Sequence, residues 1–160
     1  VMALKGVPAF YLPALLASEN DIKRFSMTGQ RRDLNREKFK AENLLAVLNN
    51  PESNANKNLK YLRNAMDVRS KLKQFHPCSQ MKCLSKGRSD IVVIKRGKGP
   101  ESVFAIHNMT ENKINYQLND NDLPKIIDND FNTHDFLTST KYNCKNISLD
   151  PFQVIWLSAL

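Results

Sequence analysis

The first apolar run of the chain is short and is bounded by glycine and proline. Residues 6–12 read Gly-Val-Pro-Ala-Phe-Tyr-Leu. A run of this length without alternating polar positions is typical of a strand that is buried on both faces in a parallel sheet, and it is too short for a core helix. We therefore predict a strand at residues 6–12.

A long polar stretch follows over residues 13–36. It has no sustained hydrophobic period and collects Ser, Asn, Asp, Thr, Gly and Gln together with several arginines and lysines. The regular element that we predict in this stretch is one helical turn near residues 15–17. Loops of this length in compact domains usually carry function, so this stretch is the first place to look for a site.

Helical periodicity returns after the polar stretch. A helix is predicted over residues 40–48, where Leu44, Leu45 and Leu48 lie on one side and a following Asn-Asn-Pro sequence ends it. A longer helix is predicted from about residue 56 to 74 by apolar positions at three-four spacing. Pro77 marks its end, because proline disfavours helix in the residue before it.

The pattern changes to β after Cys78. Short segments rich in Val, Ile, Phe and Tyr are found at residues 81–84, 90–96, 102–107 and 113–117, and the polar connections between them indicate hairpins. A last β-like region includes residues 136–137, 141–142 and 154–157, and it would close an antiparallel sheet or sandwich. The order of strand, long loop, two helices and then strands predicts an α+β chain with a boundary near Pro77.

Composition changes this picture little. The 160 residues are 41% hydrophobic, which is enough for a buried core. The net charge of +8 would attract anions such as phosphate, nucleic acid, an acidic partner or a membrane surface. Acidic residues are interspersed among the lysines and arginines, however, and no nucleic-acid-binding motif accompanies them, which favours solvated helix faces. We expect no nucleic-acid partner.

The cysteines indicate reduced thiols. Cys78, Cys83 and Cys144 are odd in number and include no CxxC pair, so neither a disulfide framework nor a zinc site is expected. No segment reaches the roughly 18 consecutive apolar residues of a membrane span. We expect a cytoplasmic protein with no membrane contact, no metal and no cofactor. Residues 1–6 read as the end of a helix with its terminal glycine, so we expect polypeptide to precede them.

Specific residues in this order resemble one superfamily of carbohydrate enzymes. Gly6-Val7-Pro8 resembles the eighth barrel strand of the α-amylase superfamily, glycoside hydrolase family thirteen. Asn20-Asp21, followed by Thr-Gly-Gln-Arg-Arg-Asp-Leu-Asn-Arg at 28–36, is similar to the loop of the sucrose phosphorylase subfamily, which includes glucosylglycerate phosphorylases. The similarity continues to the end of the chain through Arg69, Phe75-His76-Pro77, Ile106-His107-Asn108 and residues 149–157.

The resemblance implies a fold and an activity. Residues 1–77 would form the last strand, loop and helices of a (β/α)₈ barrel, and residues 78–160 would form an antiparallel β-sandwich. The activity implied is that of a retaining α-glucosyl phosphorylase, which acts on a glucoside and phosphate through a pair of carboxylates. In the family these carboxylates lie upstream of Gly6, so the chain alone would be inactive and an upstream barrel segment would be its partner.

The resemblance also implies site residues. Arg36 would reach into the glucose-binding subsite, where a guanidinium can hold a carboxylate while it donates to sugar hydroxyls. Asp33 and Asn35 are expected to brace the loop or cap the next helix rather than touch substrate, and Asn20 and Asp21 are candidate contacts on the acceptor side. The histidines at 76 and 107 and the tryptophan at 156 are expected to be structural.

Two alternatives stay open from the sequence. One is a free-standing carbohydrate-binding or protein-interaction β-module, which would present exposed aromatic side chains in a groove. The other is a basic nucleic-acid-binding protein, favoured by charge alone, which would bind DNA or RNA in a salt-sensitive way. Within the phosphorylase interpretation, sucrose, sucrose 6-phosphate and glucosylglycerate all remain possible donors.

Overall fold

A computed structural model describes residues 1–35, 38–119, 121–123 and 132–158. Its helices are α1 (Leu12–Leu15), α2 (Ile22–Thr28), α3 (Ala41–Asn49) and α4 (Asn54–Lys71). Short 3-10 turns occur at Arg31–Asp33, Lys73–Phe75 and Gly99–Glu101. The strands are β1 (Met81–Cys83), β2 (Ile91–Arg96), β3 (Val103–Asn108), β4 (Ile114–Tyr116), β5 (Asn132–His134), β6 (Lys141–Asn143), β7 (Ile147–Leu149) and β8 (Val154–Ser158).

The chain forms two compact units. One consists of Ala9–Met66 and is called the helical unit here; the other consists of Val1–Pro8 with Asp67–Leu160 and is called the strand unit. The predicted α+β class is confirmed, with antiparallel sheets in the strand unit. The chain divides after residues 8 and 66 because residues 69–77 pack with the strands. The domain boundary near Pro77 stays a prediction.

The helical part of the chain differs from the prediction in two places. The helices α3 and α4 lie within a few residues of their predicted ranges. The polar stretch, however, contains a helix, α2, that its weak hydrophobic period did not indicate. Residues 6–12 form no strand: none of the described strands pairs with them, and the side chain of Val7 is 80% exposed. A parallel strand requires a neighbouring strand along its length, and the described residues supply only a single long-range backbone hydrogen bond, from the N–H of Gly6 to the carbonyl of Pro77 at 3.2 Å.

The largest sheet has the strand order β1-β2-β3-β8 and is antiparallel throughout. The predicted hairpins β1-β2 and β2-β3 are confirmed, and β8 lies on the other side of β3. The predicted hairpin between β3 and β4 is wrong, because β4 pairs with β7. Residues 136–137 belong to a turn beside the short β5-β6 ladder, so their assignment as strand is also wrong.

One face of this sheet forms the main hydrophobic core. Its strands contribute Ile91, Val93, Phe104, Ile106, Ile155 and Leu157, which pack with Leu118, Leu123, Cys144, Ile147 and Leu149. Each fully buried aliphatic or aromatic side chain stabilises a fold by roughly 1.5–3 kcal/mol, so this cluster is the main source of stability in the strand unit. Burial also raises the pKa of the Cys144 thiol to about 11, which keeps it unreactive at neutral pH.

The opposite face of the sheet is covered by the turn after α4 and by the start of the chain. The rings of Phe75 and Trp156 lie 4.5 Å apart, and both side chains are buried, as expected for a core tryptophan. Arg96, also on this face, donates to the carbonyl oxygens of Ala3, Leu4 and His76 at 2.7–3.0 Å. Both faces of the central strands are therefore buried. None of the described helices is both long and apolar enough to cross a membrane.

Candidate functional site

The predicted loop of the helical unit is organised by α2 and its two caps. Asp21 precedes the helix, and its carboxylate accepts a hydrogen bond from the backbone N–H of Arg24 at 2.8 Å. Gly29 ends the helix at φ 64°, in the left-handed region that glycine adopts without a steric penalty. The backbone N–H of Asp21 also donates to the carbonyl of Leu34 at 2.7 Å. The start of α2 and the end of the following turn are thus tied together.

Asp33 holds the same loop from the inside. It is buried, and one carboxylate oxygen lies 3.5 Å from Nε of Arg24. A hydrogen bond from Thr28 lowers the pKa of Asp33, burial opposes this, and the charges of Arg24 and Arg32 lower it further. The carboxylate therefore carries its charge at neutral pH and faces the loop interior. This geometry is that of a brace, and any contact with substrate stays a prediction.

Asn35 lies on an exposed depression together with three residues that the sequence interpretation did not single out. They are Tyr11, Arg31 and Arg32. The two adjacent arginines in the loop motif could have indicated a charged surface, but nothing in the sequence placed Tyr11 beside them. Asn20 is exposed, and its carbonyl accepts from the N–H of Ile22 at 3.0 Å. Arg36 lies outside the described residues, so its role stays a prediction.

The helical unit also contains a mostly apolar cavity of about 420 Å³. Among the residues that line it are Leu16, Phe39, Leu44 and Val47, with lysines at its rim. None of the site residues predicted from the sequence lines this cavity. It is therefore separate from the depression beside Asn35.

The structure places two histidines of the strand unit, His76 and His107, in different surroundings. Burial lowers the pKa of His107 to about 4, with a smaller effect of the chain's amino terminus, so its imidazole is neutral at pH 7. His76 is exposed, and its Nδ1 accepts a hydrogen bond from the N–H of Cys78 at 3.2 Å. Across the described residues, no group of three or more His, Cys, Asp or Glu side chains could hold a metal ion.

Curated proteins of one kind match the chain. It is 32% identical over 111 residues to the glucosylglycerate phosphorylase of Allomeiothermus silvanus, which covers 69% of this chain and 20% of that protein. It is 29% identical over 106 residues to the glucosylglycerate phosphorylase of Spirochaeta thermophila, which covers 66% of this chain and 16% of that protein. The chain thus spans about a fifth of the length of these relatives. No family model matches the chain.

Solved structures share the fold at low sequence identity. The crystal structure of AmyP in complex with maltose aligns with a TM-score of 0.55 and 16% identity, over 68% of this chain and 22% of that one. The trehalulose synthase MutB from Pseudomonas mesoacidophila MX-45 aligns with a TM-score of 0.54 and 11% identity, over 72% of this chain and 19% of that one. At such identities the likeness is one of fold.

Proposed function

Because this chain belongs with the glucosylglycerate phosphorylase-like enzymes of the α-amylase superfamily, glycoside hydrolase family thirteen, we propose that it forms the C-terminal portion of a retaining α-glucosyl phosphorylase. Such an enzyme forms a covalent glucosyl intermediate on one carboxylate while a second carboxylic acid protonates the leaving group. Phosphate then takes the glucosyl group. A glucoside and phosphate are accordingly the substrates that we propose for the whole enzyme.

The observation that carries the proposal is the match of 32% identity over 111 residues to a glucosylglycerate phosphorylase. The loop motif at residues 28–36 supports it, because that motif resembles the sucrose phosphorylase subfamily. In this proposal residues 1–77 complete a (β/α)₈ barrel, in which preceding polypeptide would supply the neighbouring strand that residues 6–12 lack here, and residues 78–160 form a β-sandwich. The loop after a barrel strand lies at the active face of such a fold, which is where α2 and the turn at Arg31–Asp33 would then be found.

The reactive carboxylates would be supplied by polypeptide that precedes this chain. Within the described part of the loop, the carboxylate of Asp21 caps α2 and that of Asp33 pairs with Arg24. Both carboxylates are thus engaged in holding the loop, whereas retaining chemistry requires a pair of carboxylic acids about 5 Å apart that flank the scissile bond. The chain therefore contributes binding residues, and by itself it would be inactive. The cysteines at 78, 83 and 144 are free thiols, which supports a reducing cytoplasm as its location.

A hybrid enzyme tests this function. In the Allomeiothermus silvanus phosphorylase, the segment that matches this chain would be replaced by the chain itself. We expect the hybrid to release glucose 1-phosphate from glucosylglycerate and phosphate, and the 160-residue chain alone to release none. A second hybrid that exchanges only residues 18–36 covers the case in which the first fails to fold. Folded but inactive hybrids, or an active isolated chain, would contradict the proposal.

Arg36 provides the residue-level arm of the same experiment. A guanidinium that holds a carboxylate and sugar hydroxyls together contributes charged, bidentate hydrogen bonds, so Arg36→Gln should lower kcat/KM by roughly 100-fold. Arg36→Lys should keep part of the activity because it retains the charge. The matched control is Arg63→Gln, which removes an exposed arginine from α4. Equal activities of the Arg36→Gln and Arg63→Gln hybrids would remove Arg36 from the proposed site.

A further inference from the structure

The depression beside Asn35 is lined by hydrogen-bond donors. Its described lining consists of Tyr11, Arg31, Arg32 and Asn35, all within the helical unit. Two guanidinium groups, a phenol and an amide can all donate, and no acidic side chain is among them. The surface therefore carries two positive charges within one concave area.

The acidic residue of the same turn does not neutralise these charges. Asp33 is buried and directed towards Arg24 and Thr28, while Arg32 exerts only a weaker electrostatic effect on it. Within the described part of the chain, no ion pair joins Arg31 or Arg32 to a carboxylate. Both arginine side chains are exposed, as expected of a surface that binds an external anion.

The backbone that carries the arginines is fixed by its own hydrogen bonds. The N–H of Asp33 donates to the backbone carbonyl of Gln30 at 2.9 Å, and the N–H of Leu34 donates to the backbone carbonyl of Arg31 at 3.3 Å. The carbonyl of Leu34 in turn accepts from the N–H of Asp21 at 2.7 Å. A turn that is already ordered costs less free energy to organise when a ligand binds, so its charged side chains can bind more tightly.

We propose that Tyr11, Arg31, Arg32 and Asn35 form a subsite for an oxyanion, which is either phosphate or the carboxylate of an acidic acceptor. The subsite deepens the proposed function and rests on it, since a phosphorylase uses phosphate and the curated relatives are named for a glucoside of glycerate. Phosphate and carboxylate share the oxygen geometry that a planar guanidinium fork binds with two hydrogen bonds.

Titration of the 160-residue chain tests the subsite directly. Inorganic phosphate and glycerate would be added separately at low ionic strength while backbone amide and arginine Nε signals are followed by NMR. We expect saturable shifts at residues 30–35 and at both arginine side chains. Arg31→Gln/Arg32→Gln should weaken binding about tenfold or more, since each charged hydrogen bond lost is of that order. Arg63→Gln, the matched exposed arginine, should leave binding unchanged.

A conservative variant distinguishes a loss of anion binding from a loss of folding. Arg31→Lys/Arg32→Lys keeps both charges but loses the planar fork, so it should bind more weakly than the parent chain and more tightly than the double glutamine variant. If circular dichroism shows that the glutamine variant is unfolded, the anion affinity of the lysine variant is used to test the subsite instead. No saturable binding to the parent chain, or equal weakening by Arg63→Gln, would overturn the subsite.

The two anions and the two proposals are separated by the hybrid enzyme. If phosphate alone saturates the chain, the glutamine variant should raise KM for phosphate; if glycerate alone does, it should raise KM for glycerate in the synthetic direction. A folded hybrid without activity contradicts the proposed function, and the anion titration of the chain then tests the subsite by itself. An active hybrid whose KM for both anions is unchanged by the variant overturns the subsite alone.

Discussion

Two arginines of the strand unit act on main-chain carbonyls instead of carboxylates. Arg96 is fully buried and donates to three carbonyl oxygens, and Arg69 donates to those of Met2 and Gly6. Both guanidinium carbons lie 5.4 Å from the centre of the Phe75 ring, a distance at which cation–π attraction operates. Burial, with a smaller effect of the Arg69 charge, lowers the pKa of Arg96. These contacts hold residues 1–6 against the sheet.

We predict that Arg96→Met lowers the free energy of unfolding by about 2–3 kcal/mol, because one buried and two partly buried carbonyl groups would lose their donors. Residues 1–6 should at the same time become accessible to proteases. Urea denaturation and limited proteolysis measure the two effects. The control is Arg88→Met, which removes an exposed arginine paired with Asp90, a kind of ion pair that contributes little. Similar losses in both variants would contradict a special role for Arg96.

At the scale of elements, the loop of the helical unit is a helix and a turn joined by polar contacts. The helix α2 has no buried residue, so packing contributes little to it. Its caps, the ion pair between Arg24 and Asp33 and the bond between Asp21 and Leu34 hold it instead. Short helices are marginal in water without such support, which explains why hydrophobic periodicity did not reveal α2.

The order of this loop should depend on pH through Asp33. Its pKa in the folded protein lies below the ordinary value of 3.8, so the ionised form stabilises the fold above about pH 3.8. This contribution is lost as the pH falls through the lowered pKa. NMR titration of the Asp33 carboxyl and of the Leu34 amide checks it, and Asp33→Asn should remove the pH dependence at the amide. An Asp33 midpoint at or above 3.8 would contradict the brace.

At the scale of the whole molecule, the two units bury very different amounts of apolar surface. The described residues of the helical unit include only Leu16, Asp33, Ala55 and Ala65 as buried positions, whereas the strand unit contains the large core. Several large apolar side chains of the helical unit are exposed, among them Ile22, Met27 and Leu45. Under the proposed function these faces would be covered by the rest of the barrel.

Hydrogen exchange should therefore separate the units. We expect amides of α2 and α3 to be protected at least about 100-fold less than those of β2, β3 and β8, because local opening is easiest where few apolar contacts must be broken. Mass spectrometry of peptides from one sample compares them directly. The hybrid enzyme supplies the control, since α3 should gain protection there. Equal protection of α3 and β3 in the isolated chain would contradict this division.

The sequence by itself determined the α+β class, the approximate ranges of α3 and α4, most of the strands and the similarity to glucosylglycerate phosphorylases. These depend on hydrophobic period and short motifs, which are local properties of the chain. It also singled out the loop in which Asp21, Asp33 and Asn35 lie, although their roles toward substrate remain predictions.

Only the tertiary structure decided which strands pair and which polar groups meet. The pairing of β4 with β7 and the placement of Tyr11 and Arg31 on one depression bring together residues that are distant in sequence. The inward orientation of Asp33 depends on the direction of its side chain. The apolar run at residues 6–12 also shows that strand pairing cannot be predicted from local sequence. Its composition favours a buried strand, yet a strand forms only where neighbouring strands bind its backbone groups, and pairing is not a local property.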